Sequence, residues 1–538
     1  MWYYVLAIVP VSKKTEKVMS TYMQEPELKT YTKAERNLYL TGLAGQNIVY
    51  NVFNALFAHF VQFVLMVPAM AVSVILTVAR VWDGFNDPIM GTIVDRTRSK
   101  WGKCRPYLLF SPLPIFIVVA LSFLSFGSYD AAAGWNGRNI LLVAWITLFA
   151  LLYDLVYTVG DIPLWGAPSL MTEIEKDRNR LYSTMRVVAS IAGGAVMLGA
   201  LPIAQAVSNY LKDNAFGGDL VLGERTGFFI AAAGFTLVGC AMFQLTGIRM
   251  KERIAPSKEK NSVLRNFKMM WENKPFRKVL LSGILSSPKN TVMIVAFPLV
   301  NYYFAGKNPA KALLYIILLG GGLMIGMMVG QALTPRWTER FEKKTLYNFS
   351  NYAGVPAMLV AFVLYWTAPN HDVTGMGYVA LLSALFACVG LTNGINSVMQ
   401  TLMIGDAVDL EEHNTGIRPD GVFFSGQTFL AKLTAGIATI LSGFGYSLVG
   451  FSDAKVGELN QLIDAGVTGQ ALRGAMPEYD SFMTVLFVLM TLLPAVGCLL
   501  ACIPTWKYPM SNREHQAVLA ALQERRRASG EAAQELTV

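Results

Sequence analysis

The sequence predicts an all-α membrane protein of twelve transmembrane helices in two pseudo-symmetric six-helix halves. Three observations carry this reading. Of 538 residues, 54% are hydrophobic and only 15% charged, against roughly 25% charged in soluble domains. Apolar runs recur at 38–66, 70–93, 107–127, 138–164, 184–206, 227–247, 277–304, 312–334, 345–367, 376–403, 421–449 and 481–505. Each supplies the roughly 20 residues that cross a bilayer core, and the Gly, Pro and amides inside several are tolerated where neighbouring helices or a water cavity satisfy the backbone. The longest polar, basic interval, Arg249 to Lys278, falls between the sixth run and the seventh.

The expected units follow: an extension at 1–37, a first bundle at 38–248, a central loop at 249–276, a second bundle at 277–505 and a tail at 506–538. The opening MWYYVLAIVPVSKK is too short to span and lacks a basic n-region and a cleavage pattern. It is expected either to lie at the membrane interface or to precede a true start at Met19. The tail, rich in Ala, Glu and Arg, reads as a soluble helix with no evident chemistry. The halves resemble each other faintly: DRTRSKWGKCRPY after the second span pairs with PRWTERFEKKTLY after the eighth, with Arg96 and Arg336 preceding Tyr107 and Tyr347 by the same interval. Two six-helix halves with a substrate site between them is the major-facilitator arrangement.

Net charge is +9, and its distribution sets the orientation. Arg96, Arg98, Lys100, Lys103 and Arg105 crowd one loop, and Arg249, Lys251, Arg253, Lys258 and Lys260 another. Intervening loops hold few, such as Arg138, Lys212, Arg225 and Lys307. By the positive-inside rule both termini are expected to be cytoplasmic, in the plasma (inner) membrane. A nucleic-acid partner is not expected, because no folded soluble domain presents this charge. The five cysteines and four histidines show no metal-ligand spacing, so neither a cofactor nor a disulfide framework is expected. Cys498 and Cys502, one turn apart, read as packing.

An ionisable side chain at the centre of a membrane helix costs about 2.5–3.5 kcal/mol on insertion scales, so each demands a reason. VWDGFNDPIMG places Asp83 and Asp87 one helical turn apart, with Asn86 between them and Pro88 after. A bound cation neutralises such a pair better than one arginine; hard oxygens with an adjoining amide suit sodium, and a shared proton is the alternative. Asp154, Tyr157, Asp161 and Trp165 form one stripe of the fourth span, Asn47, Asn51 and Asn54 another in the first, and Thr428 and Lys432 stack in the eleventh. Aromatic faces and amides suit a sugar, whose C–H faces stack and whose hydroxyls take hydrogen bonds. The bland reading competes at several positions: Arg80 and Asp154 read equally as structural ion pairs, and Lys289, beside Pro288, as a lysine snorkelling to the interface.

RVWDGFNDPIMGTIVDRTRSKWGKCRPYLL closely resembles the signature of the glycoside–pentoside–hexuronide:cation symporters. YTVGDIPLWGAPSLMT, the MRVVAS context of Arg186, IGDAVDLEEH and GQTFLAK extend the resemblance from about 38 to 505. It implies a cation site at Asp83, Asn86, Asp87 and Thr158, with sodium or a proton as coupling ion. It implies a sugar site at Asp161, Trp165, Arg186, Gln427, Thr428 and Lys432, with Tyr157 close by and Asn47 in the first span. Departures stand beside it. Gln46-Asn47 replaces a Lys-Asp pair, which puts galactoside specificity in question, Ser397 replaces a tryptophan, and Asp154 and Lys289 are additional.

These readings lead to a monomeric secondary transporter coupling a cation to a sugar or glycoside in the lipid bilayer. A lysolipid or other amphiphile carrier is the runner-up, since eukaryotic members of the wider family carry lipids. A membrane-embedded enzyme or sensor finds no support: no phosphate-cradling loop, nucleophile–base pair or signalling domain is present in the sequence.

Overall fold

A computed structural model describes residues 29–535 except 131, 135, 255–262, 307, 451–452 and 468, and the side chains of Arg80 and Asp83 are among those left undescribed. The expectation for MWYYVLAIVPVSKK lies outside the described residues.

Among the described residues, helical segments stand at all twelve expected positions, in the expected order. In the first half α1 is Lys33–His59, continued by a π turn, Phe60–Val64, and α2 is Ala69–Arg96. α3 joins Arg105–Phe110 to Pro112–Phe123, and α4, α5 and α6 are Gly137–Gly166, Glu175–Asn214 and Leu220–Ile248. In the second half α7 joins Lys274–Leu285 to Thr291–Pro298 through a 3-10 turn, α8 closes with Gly321–Thr338, and α9 joins Lys343–Tyr352 to Val355–Thr367. α10 is Met376–Thr415, α11 Asp420–Leu448, and α12 joins Tyr479–Met490 to Leu492–Thr505. A short helix, Val263–Glu272, follows the central loop, and a tail helix, Asn512–Glu535, closes the chain.

Among the described residues, eight of these helices are long and apolar enough to cross a membrane, and the bent α7 makes nine. The first three fall short for local reasons. α1 carries five amides, Asn37, Gln46, Asn47, Asn51 and Asn54, α2 carries the ionisable residues, and the apolar part of α3 is only Pro112–Phe123. The 48° bend in α7 falls between Leu285 and Ser287, just before Pro288, which removes a backbone donor. α1 begins on T-x-x-E: the Thr32 hydroxyl accepts from the Glu35 amide at 3.2 Å, and the Glu35 carboxylate accepts from the Thr32 amide at 2.7 Å.

α8 and α10 pack backbone to backbone through glycines. A Cβ at Gly326 would stand 1.9 Å from the Ala387 carbonyl oxygen, and one at Gly390 2.0 Å from that of Leu323. In lipid, close approach through small residues replaces hydrophobic driving force. Gly326→Val is therefore expected to destabilise the purified protein by about 3 kcal/mol, read as a lowered unfolding midpoint in detergent. An unchanged midpoint would mean that the helices have room to part.

The halves meet at the end that carries the basic loops. One hydrophobic cluster fills the first half and continues into the second through α10 residues such as Ile395, Leu402 and Val408 and through Val422, Phe423 and Phe424 of α11. A separate cluster lies within the second half, around residues such as Val295, Tyr365 and Phe487. Two buried lysines, each at the same interval after its arginine in the repeated loop, seal this end. The Lys103 ammonium lies 2.8 Å from Asp95 and 2.9 Å from Asp420, the first residue of α11. The Lys343 ammonium lies 2.6 Å from both Asp406 and Glu175, the first residue of α5. The faint repeat thus marks a pseudo-symmetric pair of ties between the halves.

Candidate substrate and cation site

α4 carries the site because its polar residues recur on one stripe. Tyr157 and Thr158 are buried, and Asp161 and Trp165 are half-buried toward the bundle interior. The Gln46 amide of α1 donates to Asp161 Oδ1 at 2.7 Å and also to the Tyr157 hydroxyl. Trp165 Nε1 donates to the same Asp161 oxygen at 3.2 Å. The Arg186 guanidinium of α5 lies over the Trp165 ring, 4.3 Å from its centroid, a cation–π contact.

From the second half, Thr401 of α10 joins this group. Its hydroxyl accepts from Arg186 Nη2 at 2.7 Å and from the Gln427 amide of α11 at 3.0 Å. Arg186 Nε and Gln427 Oε1 are both buried and have no hydrogen-bond partner among the described residues. An orphaned donor and an orphaned acceptor, on two side chains that both bond Thr401, carry a desolvation cost that a hydroxylated ligand relieves. Trp165 offers the apolar face, and Asp161 the charged acceptor.

The second cluster lies one turn along α4. Asp87 is 1% exposed in the middle of α2. Its Oδ1 accepts from the Thr158 hydroxyl at 3.2 Å, and its Oδ2 from the Lys432 ammonium of α11 at 2.8 Å. The same Thr158 hydroxyl has the Asp154 carbonyl at 2.8 Å, and the Asn86 amide donates to that carbonyl at 3.4 Å. Two carboxylate oxygens, a hydroxyl and a backbone carbonyl are a hard oxygen set, in keeping with an alkali cation or a proton. Asp83 belongs to α2 by its backbone, but its side chain lies outside the described residues.

The structure therefore brings together Asp161, Trp165, Tyr157, Arg186 and Gln427 in one cluster, and Asp87, Thr158 and Asn86 in another. Lys432, expected at the sugar, stands on Asp87 instead. Thr428 bonds the Ser425 carbonyl at 2.8 Å, within its own helix. Asn47 bonds the Leu43 carbonyl at 3.0 Å and the Gln46 side-chain oxygen at 2.9 Å, so it orients Gln46, which makes the inward contact. Lys289 does not reach for the interface: its ammonium meets the fully buried Asn351 of α9 at 3.2 Å, inside the second bundle. Thr401 escaped sequence reasoning because an isolated threonine in an apolar helix carries no pattern.

The chain matches, over residues 38–512, the family described as MFS/sugar transport protein. It belongs to that family. Curated relatives agree: the inner membrane symporter YicJ of Escherichia coli K12 is 26% identical over 470 residues, covering 87% of this chain and 90% of the relative. The isoprimeverose transporter of Lactiplantibacillus pentosus is 23% identical over 427 residues, covering 78% and 81%. Among solved structures, the major facilitator transporter FucP in its outward conformation superposes with a TM-score of 0.57 at 14% identity, covering 88% of this chain and 98% of that one. The proton:xylose symporter XylE gives 0.54 at 12% identity, covering 90% and 98%. At these identities the two structures establish the fold alone. This MFS/sugar transport protein is accordingly a multi-pass membrane transport protein of the major facilitator fold, on the branch of the glycoside–pentoside–hexuronide:cation symporters.

Proposed function

We propose that the chain is a cation-coupled symporter of a sugar or glycoside, working by alternating access between the bundles at 38–248 and 277–505. The observation that carries this reading is the sharing of α4: Thr158 touches the carboxylate of Asp87, and one turn on Asp161 gathers Gln46 and Trp165. One rigid helix thus reads the occupancy of both clusters. The cation seat is Asp83, Asn86, Asp87 and Thr158, and the coupling ion is sodium or a proton. The sugar seat is Gln46, Tyr157, Asp161, Trp165, Arg186, Thr401 and Gln427, with Asn47 orienting Gln46.

Coupling needs no covalent step. In this closed-end conformation the Lys432 ammonium supplies the positive charge at Asp87. A cation entering the seat displaces it, breaks a tie between α2 and α11 and leaves α4 held from both sides. Cation then raises sugar affinity, and by linkage sugar raises cation affinity equally. One positive charge moving inward gains about 2.3 kcal/mol per 100 mV, which supports accumulation on the order of fifty-fold. Uptake of a labelled glycoside panel into energised vesicles, with and without sodium and across pH, tests this. One glycoside should accumulate with one cation; filling with neither would overturn the proposal.

Orientation is part of the same proposal. The basic end, with the loop at 249–276 and both termini, is assigned to the cytoplasm of the inner membrane, so the described state is closed inward. A topology reporter fused after Lys260 is expected to be active only on the cytoplasmic side; activity confined to the outer side would reverse the assignment.

A further inference from the structure

The tail helix, expected to be without chemistry, is docked. Its start is a capping box in which the Ser511 amide donates to Glu514 at 2.6 Å and the Glu514 amide to the Ser511 hydroxyl at 3.2 Å. The Asn512 amide donates to Glu342 at 2.8 Å, and Arg525 reaches the His413 carbonyl at 3.3 Å. These contacts anchor the helix to the second half. One residue goes deeper. His515 is 1% exposed, its Nε2 3.1 Å from Asp409 and 3.4 Å from Asp406, both on α10. Its Nδ1 lies 3.6 Å from Glu175, which opens α5 in the first half.

The surrounding charges leave room for one more proton. Six carboxylates in one network, Glu175, Asp406, Asp409, Glu412, Asp420 and Asp95, face four permanent cations: Arg178 of α5, Lys343 of α9, Arg418 before α11, which also reaches Asp420 at 3.2 Å, and Lys103, which neutralises Asp420 and Asp95 at the far side. The buried Tyr508 phenol beside Asp406 is a neutral neighbour, because burial pushes its ionisation well up; on the tail helix itself Glu514 is exposed and caps Ser511, and Arg525 donates to the Glu412 and His413 carbonyls at the end of α10. Around Lys103 and Asp420, joined to this cluster through Arg418, the Ser169 hydroxyl donates to Asp420 at 2.5 Å. The imidazole of His515 stands among Asp406, Asp409 and Glu175.

We propose that His515 is a pH-operated latch, whose imidazolium ties the tail helix and α10 to α5 and keeps the basic end closed, and whose deprotonation frees the tail. Burial by itself lowers an imidazole pKa, but Asp406 leads the carboxylates in outweighing it, and His515 is held up at about 8 against an ordinary 6.5. A group raised on docking contributes its full stabilisation below the undocked value and loses it as pH rises through the docked one. The latch is therefore set at and below about pH 6.5 and released through about pH 8, with the docked-to-free ratio changing about thirty-fold between the limits. Which compartment it senses rests on the orientation proposed above; the latch itself does not.

The test uses the full-length protein in nanodiscs, without substrate or coupling ion, so its outcome is independent of the transport assignment. Spin labels at Gln516→Cys on the tail and Arg180→Cys on α5, in a Cys388→Ser background, report the gap between them from pH 6 to 9. The short distance should dominate at pH 6, and a longer one should grow in with a midpoint near 8. His515→Asn should remove the step and show the longer distance throughout, while His515→Arg should keep the short distance at pH 9. A step that persists in His515→Asn, or a wild-type distance that does not change with pH, overturns the latch.

Discussion

Asp87→Cys is expected to abolish cation-driven accumulation while leaving downhill sugar equilibration intact. Asp87 is buried and holds both Thr158 and Lys432. A thiol cannot carry the negative charge that either a cation or the lysine requires, so the driving ion loses its seat and α2 loses its tie to α11. The proposed sugar ligands on α1, α4, α5, α10 and α11 remain. The accumulation ratio should fall from the order of fifty-fold to unity, and sugar affinity should lose its dependence on sodium or pH. The measurement pairs uptake against a gradient with equilibrium binding at several cation concentrations. Continued accumulation driven by the same cation would make this carboxylate a structural group. Asp83→Cys in the same assay tests the second member of the pair.

Asp161→Ala should abolish sugar binding in protein that still folds and inserts. One oxygen of Asp161 gathers Gln46 Nε2 at 2.7 Å and Trp165 Nε1 at 3.2 Å. Hydrogen bonds to a charged group contribute about 1.5–3 kcal/mol each, so losing the carboxylate removes the substrate's anionic partner and unfastens two side chains that shape the pocket. A weakening of a hundred-fold or more follows. Arg186→Ala should match it by another route: the guanidinium covers the Trp165 face at 4.3 Å and links to Thr401 of the other half at 2.7 Å. Losing it opens the site between the bundles. Calorimetric titration of the purified variants decides; unchanged affinity in Asp161→Ala would move the sugar site elsewhere.

Much of this molecule was legible in its sequence because membranes enforce local rules. A helix in lipid satisfies its own backbone, so apolar runs mark the spans and their order. A charge in a span is costly, so Asp87 and Asp161 announced themselves without any knowledge of their partners. Their spacing along α2 and α4 placed each on a face, and the intervals from Arg96 to Tyr107 and from Arg336 to Tyr347 marked the two related loops.

The tertiary structure alone decided which faces meet. Lys432 lies on Asp87, Gln46 reaches Asp161 while Asn47 stays behind it, and Thr401 receives Arg186 and Gln427. These contacts join helices far apart in the chain, and they depend on the rotation of each helix about its axis and on how closely its neighbours approach. The glycines that bring α8 against α10 help to set that approach, and no periodicity within one helix encodes the rotation of another. His515 is the clearest case. Its place in a polar, solvent-like tail carried no sign of burial, because the three carboxylates around it come from α5 and α10, in different halves of the chain.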